Sequence, residues 1–272
     1  MSERTSYTPG TPCWVDLATP DVEAAASFYG ELFGWEVPEL PNSAEMGGYR
    51  RAKKNGKDVA GVFSLMQEGQ PPAWGTHVSV TDAEATMDAV RAAGGQVLFE
   101  PMEVADYGKM SVFVDPTGAV CGAWQPNAFA GSELVNEYGT FGWSELGTRD
   151  TAAAREFYGK VFGWGYAEEE SERAGTYTVW KLGEAMVGGM LDIGAMEAGQ
   201  GVELPAEIPP HWLVYFTVED TDAAVETVKS NGGDVKFGPI DVPVGRFAVV
   251  GDPFGAVFAV MQPSEETLAN MP

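Results

Sequence analysis

The sequence predicts an α+β fold made of four βαβββ units in tandem. Three observations lead there: the length, an internal repeat, and a local grammar of strand, capped helix and short strands that returns four times. A chain of 272 residues exceeds what one hydrophobic core usually serves, so two domains of ordinary size are expected. The segment DVEAAASFYGELFGW (21–35) returns as DTAAAREFYGKVFGW (150–164), identical at nine of fifteen positions. A second pair extends the repeat, since 94–120 matches 232–257 with one residue deleted.

In order along the chain, WVDLATP reads as a short strand and Asp21 as an N-cap. The helix that follows carries Val22, Ala25, Tyr29, Leu32 and Phe33 at helical spacing and stops at Gly34. HVSV repeats the opening, with Asp82 as N-cap, a helix through Met87 and Val90, and Gly94-Gly95 as the stop. QVLFE, KMSVFVD and AVCGAWQ read as strands, with DPTG as a hairpin turn. The unit occurs four times, near 11–66, 74–126, 140–193 and 211–263, and the pairs Pro71-Pro72 and Pro209-Pro210 mark matching entrances. Small and polar residues gather where the repeat lapses, which predicts domains at 1–127 and 138–272 joined by a linker at 128–137.

Composition narrows the function. Forty acidic against sixteen basic residues give a formal charge of −24, which repels phosphate backbones and anionic membranes. Nucleic acid and membrane are therefore not expected partners. The chain lacks an apolar run of membrane-spanning length and a signal-peptide start, so a cytoplasmic location is expected. Cys13 and Cys121 sit in apolar β-like stretches and are expected as reduced, buried thiols.

The FYxxxFGW helix end, the DPxG turn before a closing strand and the fourfold βαβββ pattern together resemble the vicinal-oxygen-chelate superfamily, which includes glyoxalases, bleomycin-resistance proteins and extradiol dioxygenases. The resemblance spans almost the whole chain and is nearest to a two-domain actinobacterial branch labelled glyoxalase-like or hydroxylase. It implies that units pair into two curved mixed sheets whose concave faces form ligand cups, with helices outside.

Metal-using members of that superfamily supply His, Glu or Gln from the first and last strands of a unit. Counting seven residues back from the N-cap aspartates gives Trp14, Gly75, Trp143 and Leu213. The same positions on closing strands fall on Gly61, Gly122, Gly189 and Ala259. None is a ligand type, and two histidines in the chain cannot furnish a polyhistidine site. No metal and no other cofactor is expected, although carboxylate-only coordination of magnesium or calcium stays open.

Strand alternation places Asp16 and Glu145 on the same faces as Trp14 and Trp143, and the same offset gives His77 and Tyr215. Each cup therefore gains a polar pair, Asp16 with His77 and Glu145 with Tyr215. Such pairs either close a partly filled core or contact a ligand, and Asp16 with His77 could also perform acid–base chemistry. Trp14, Trp124 and Trp143 offer flat apolar walls for a planar molecule, or simply fill volume. Gly61, Gly75 and Gly122 argue for open space in the first cup, while Leu213 and Ala259 suggest a fuller second one. Lys109 and Arg246 are repeat-equivalent cations that either reach a ligand or balance the acidic surface.

Three functions compete. The first is metal-independent binding of a small, planar or aromatic organic molecule, similar to bleomycin-resistance sequestration, by a monomer or homodimer. The second is a metal-free lyase, isomerase, cyclase or hydroxylase-like enzyme using Asp16 and His77. The third is a scaffold with degenerate cups. Fold alone does not choose among them.

Overall fold

A computed structural model of the chain describes residues 3–39, 48–171, 175–195 and 208–270. The first unit holds β1 (Pro12–Thr19), α1 (Val22–Phe33), β2 (Arg50–Lys54) and β3 (Lys57–Ser64), with an isolated bridge from Glu36 to Lys53 where its extra strand is expected. The second holds β4 (Ala73–Ser79), α2 (Ala83–Ala92), β5 (Gln96–Val104), β6 (Gly108–Val114) and β7 (Val120–Pro126). The third holds β8 (Thr140–Thr148), α3 (Thr151–Phe162), β9 (Gly165–Ser171), β10 (Gly175–Leu182) and β11 (Ala185–Asp192). The fourth holds β12 (His211–Thr217), α4 (Thr221–Ser230), β13 (Asp234–Val242), β14 (Gly245–Gly251) and β15 (Val257–Pro263), and α5 (Glu265–Asn270) follows it.

The helices begin where a side-chain oxygen can satisfy an orphan backbone donor. Asp21, Asp82, Asp150 and Asp220 each accept from the amide three residues on. Gly34 and Gly163 close α1 and α3 in the left-handed conformation, at φ of 71° and 72°, which glycine adopts without steric cost.

Strand order is β2-β3-β1-β4-β7-β6-β5 in the first sheet and β13-β14-β15-β12-β8-β11-β10-β9 in the second. Each is a mixed sheet in which two units meet antiparallel at the centre, β1 on β4 and β8 on β12. Among the described residues no helix is long and apolar enough to cross a membrane.

The helices depart from the expected arrangement. They lie on the faces opposite the cups, yet they do not form an outer shell. The two sheets meet back to back, with the hydroxyls of Thr76 and Ser144 3.0 Å apart, and the helices fill the flanks of that contact, α1 against α4 and α2 against α3. One core cluster joins Phe28, Tyr29 and Phe33 of α1 to Phe216, Val225 and Phe258 of the second half. Its counterpart joins Met87, Val90 and Phe113 to Phe157, Trp164 and Trp212. The FYxxxFGW motif is the reason: its rings are too large for one sheet to cover, and each half supplies the other's missing wall.

Candidate functional site: two related cups

The face of each sheet that points away from the other half carries the site residues. In the first half, register pairs Trp14 with His77 and Asp16 with Gly75 across β1 and β4. Asp16 neighbours Gly61 and His77 neighbours Gly122 across the parallel contacts. The second half repeats this arrangement. Trp143 pairs with Tyr215, Glu145 with Leu213 and with Gly189, and Tyr215 with Ala259.

His77 Nε2 lies 3.0 Å from Asp16 Oδ1 in a pair that is almost fully buried, at 6% and 7% exposure. Burial opposes the imidazolium, but the charge and hydrogen bond of Asp16 outweigh it and raise the histidine pKa. His77 Nδ1 is buried and finds no hydrogen-bond partner among the described residues. The ring is thus oriented by a carboxylate at one nitrogen, while the unmatched Nδ1 lies over Gly122 of the neighbouring strand.

Tyr49 completes the first cup, and its counterpart Tyr177 completes the second. Trp14 Nε1 donates to Tyr49 Oη at 2.7 Å, and Tyr49 donates onward to Asp16 at 3.4 Å. Trp143 Nε1 donates to Tyr177 Oη at 3.1 Å, and the Tyr177 hydroxyl lies against Glu145. Tyr215 donates to Glu145 Oε1 at 3.0 Å. Burial pushes Glu145 above the usual carboxylate range, partly offset by the two tyrosine hydroxyls. Burial also keeps Tyr49, Tyr177 and Tyr215 protonated, with the adjacent carboxylates adding to the shift. Both tyrosines were legible as a repeat, since each stands twelve residues before the glycine at a vacant ligand position, Gly61 or Gly189.

The glycines do not create open space in the first cup. A Cβ on Gly122 would overlap the His77 imidazole, one on Gly61 would overlap the Tyr49 hydroxyl, and one on Gly75 would come within 2.9 Å of Asp16 Oδ1. These residues are small because a neighbouring side chain already fills the place. Phe129, which the sequence reading assigned to the linker, then covers what remains. Its ring stands edge-on to Trp14 with centroids 4.9 Å apart and also meets Trp124 and Tyr107, while its carbonyl accepts from Trp124 Nε1 at 2.8 Å. The guanidinium of Arg51 sits 5.2 Å above the Phe129 ring.

The second cup is the less covered of the two. Trp143 and Glu145 are partly exposed where their counterparts Trp14 and Asp16 are buried, whereas Tyr177 matches Tyr49 and Tyr215 matches His77 in burial, and Phe247, Val249 and Met261 are only partly buried around Leu213, Tyr215 and Ala259. The expected open space in the first cup is thus filled by its own side chains, while Leu213 and Ala259 do add volume to the second, whose Trp143 and Glu145 nevertheless stay partly exposed. Arg246 is a further correction. Phe247 takes the cup-facing position on β14, so Arg246 points to the other face and pairs with Asp222 at 2.8 Å and Asp241 at 3.0 Å. Lys109 likewise pairs with Glu84 at 2.7 Å. Cys13 and Cys121 are free, buried thiols that burial holds well above their ordinary pKa.

The described residues of the cups do not form a metal-ligand set. Among the described residues no three His, Cys, Asp or Glu side chains converge, and the indole N–H groups of Trp14 and Trp143 stand at vacant ligand positions as hydrogen donors.

Comparison with known proteins agrees with this architecture. Residues 14–121 match the Glyoxalase-like domain, and residues 140–260 match the Glyoxalase/Bleomycin resistance protein/Dioxygenase superfamily. The chain is 41% identical over 270 residues to "Putative glyoxylase CFP32" of Mycobacterium tuberculosis, covering 98% of this chain and all of that protein. It is 36% identical over 272 residues to the anthracycline biosynthesis protein DnrV of Streptomyces peucetius, covering 95% of each. In fold it is similar to the Mn(II)-bound glyoxalase of Novosphingobium aromaticivorans, with a TM-score of 0.63 at 18% identity over 93% of this chain and 82% of that one. It is also similar to the 2,3-dioxygenase LapB of Pseudomonas sp. KL28, with a TM-score of 0.61 at 14% identity over 94% of each chain. The chain belongs to the Glyoxalase/Bleomycin resistance protein/Dioxygenase superfamily.

Proposed function

We propose that the protein binds a small, planar organic molecule in a glyoxalase-like cup without a metal ion. The observation that carries this reading is the substitution of every vacant ligand position by indole, glycine or aliphatic carbon, while aromatic and polar groups still line the second cup. A concave aromatic wall with a few convergent polar groups is the usual form of a small-molecule site. The names of the relatives support a small-molecule role without fixing it, since one is called a glyoxylase and the other an anthracycline biosynthesis protein. Elemental analysis of dialysed protein together with native mass spectrometry tests the proposal. Metal-free protein carrying, or taking up, a small organic mass is the expected result; one transition metal retained per chain overturns it.

A second reading is favoured by one contact. The Asp16–His77 pair has a carboxylate-oriented imidazole with an unmatched Nδ1, which is the arrangement of a metal-free proton-transfer site. Phe129 stands over that cup, so turnover there requires the 127–132 segment to move.

A further inference from the structure

Besides lining changes such as Gly75 to Leu213, Gly122 to Ala259, Met110 to Phe247 and Trp124 to Met261, the two cups differ in their covering group, and that difference bears on the ligand class. Phe129 follows the last strand of the first sheet and lays an aromatic ring edge-on against Trp14, at an interplanar angle of 89°. By the register of β6 on β7 and of β14 on β15, Gly108 with Pro126 corresponds to Gly245 with Pro263, so the position of Phe129 falls on Glu266. The segments after β11 and after β15, residues 193–208 and 264–272, contain no Phe, Tyr or Trp. The second cup therefore keeps one tryptophan, Trp143, with Met261 at the position of Trp124 and Phe247 at that of Met110, and these segments offer no ring to lay against Trp143.

Its hydrogen bonds have a direction. Trp143 spends its N–H on Tyr177, and Tyr177 directs its hydroxyl to Glu145 as Tyr49 does to Asp16. Tyr215 spends its hydroxyl on Glu145 as well. Every donor hydrogen in the chain points inward to one carboxylate, so what remains on offer is lone pairs, on Glu145 and on the two phenol oxygens. The molecule's charge of −24 adds a field that disfavours anions.

We infer that the second cup takes an external aromatic ring bearing a hydrogen-bond donor, a phenolic O–H or a ring N–H, seated on Trp143 as Phe129 is seated on Trp14 and donating to Glu145. This rests on the binding reading above and specifies its site and ligand chemistry. An aromatic carboxylate is excluded by the same inventory, because it would bring lone pairs to lone pairs.

A matched series tests it on the intact protein at pH 8: 2-naphthol, 2-methoxynaphthalene and 2-naphthoate, measured by calorimetry. The expected order is naphthol tightest, the methyl ether about tenfold weaker for lack of one charge-assisted hydrogen bond, and naphthoate undetectable. Glu145→Gln should remove the preference of naphthol over its ether, and Val249→Trp should abolish binding by filling the cup, with thermal unfolding confirming that both variants fold. Naphthoate binding as well as naphthol, equal affinity for naphthol and its ether, or no naphthol binding at all overturns the inference. Failure here, with a different organic mass retained in native mass spectrometry, leaves the broader binding reading standing, whereas a retained transition metal removes that reading on its own.

Discussion

Tyr29 donates a hydrogen bond to the Asp252 carboxylate at 3.0 Å, tying the first helix of one half to the DPxG turn of the other, and Tyr158 reaches Asp115 at 2.9 Å in the reciprocal position. Each phenol oxygen also accepts from an indole of its own half, Trp74 at 3.0 Å and Trp212 at 2.9 Å. Tyr29→Phe strips a buried acceptor of its donor and a buried donor of its acceptor. The expected cost is about 1–3 kcal/mol of stability, with Tyr158→Phe similar. Urea unfolding checks it, and a change below about 0.5 kcal/mol would show that the latches hold nothing.

The two histidines should titrate on opposite sides of their ordinary value. Burial lowers His211, while the Asp16 carboxylate raises His77 against the opposing effect of burial. Because the chain has only these two, NMR of the imidazole protons resolves both. Asp16→Asn should bring the His77 midpoint down, since burial then acts unopposed. A raised folded pKa lends stability that is complete below the unfolded value and is lost as pH rises through the folded one. The stability difference between wild type and Asp16→Asn should therefore shrink as pH climbs from about 6.5 through the His77 midpoint. A difference that grows over that window contradicts the assignment.

Gly122→Ala should be costly although alanine is the residue at the equivalent Ala259. The added methyl would overlap the His77 ring, and His77 cannot withdraw without losing Asp16. A loss of about 1–3 kcal/mol is expected from overpacking. Pairing the change with His77→Ala should recover most of it, and a double variant no better than the single one would show that the clash lies elsewhere.

Phe129→Ala should uncover the first cup. Trp14 and Trp124 gain exposure, which red-shifts indole emission, and stability falls by about 1–3 kcal/mol for a half-buried ring. Added benzene or indole should restore part of the lost melting temperature by occupying the vacated seat. Unchanged emission would mean that the ring does not shield these tryptophans.

Much of this was legible in the sequence because it repeats. The N-cap aspartates fix a register from which Trp14, Asp16, His77 and their counterparts follow by counting. What escaped lies where counting stops. Phe129 falls where the repeat lapses, so no counterpart flags it. The glycines read as space because a sequence shows the absence of a side chain and not the neighbour that leans into the gap. Arg246 was misplaced although Phe247 beside it already claims the inner face of β14. The location of the helices could not be read at all, since an apolar helical stripe demands a cover without naming the sheet that supplies it.

The reciprocal packing of α1 on α4 and of α2 on α3 has an ancestral corollary. A lone half would leave the rings of Phe28, Tyr29 and Phe33, or of Phe157, Tyr158 and Phe162, facing water on the side where the other half now lies. A single-repeat precursor would have been viable only as a two-fold homodimer, each copy presenting its turn aspartate to the other's tyrosine. Joining two such copies in one chain makes the pairing permanent and leaves each half free to diverge. In the first half Phe129 now closes over Trp14, a contact without a counterpart at Glu266 in the second.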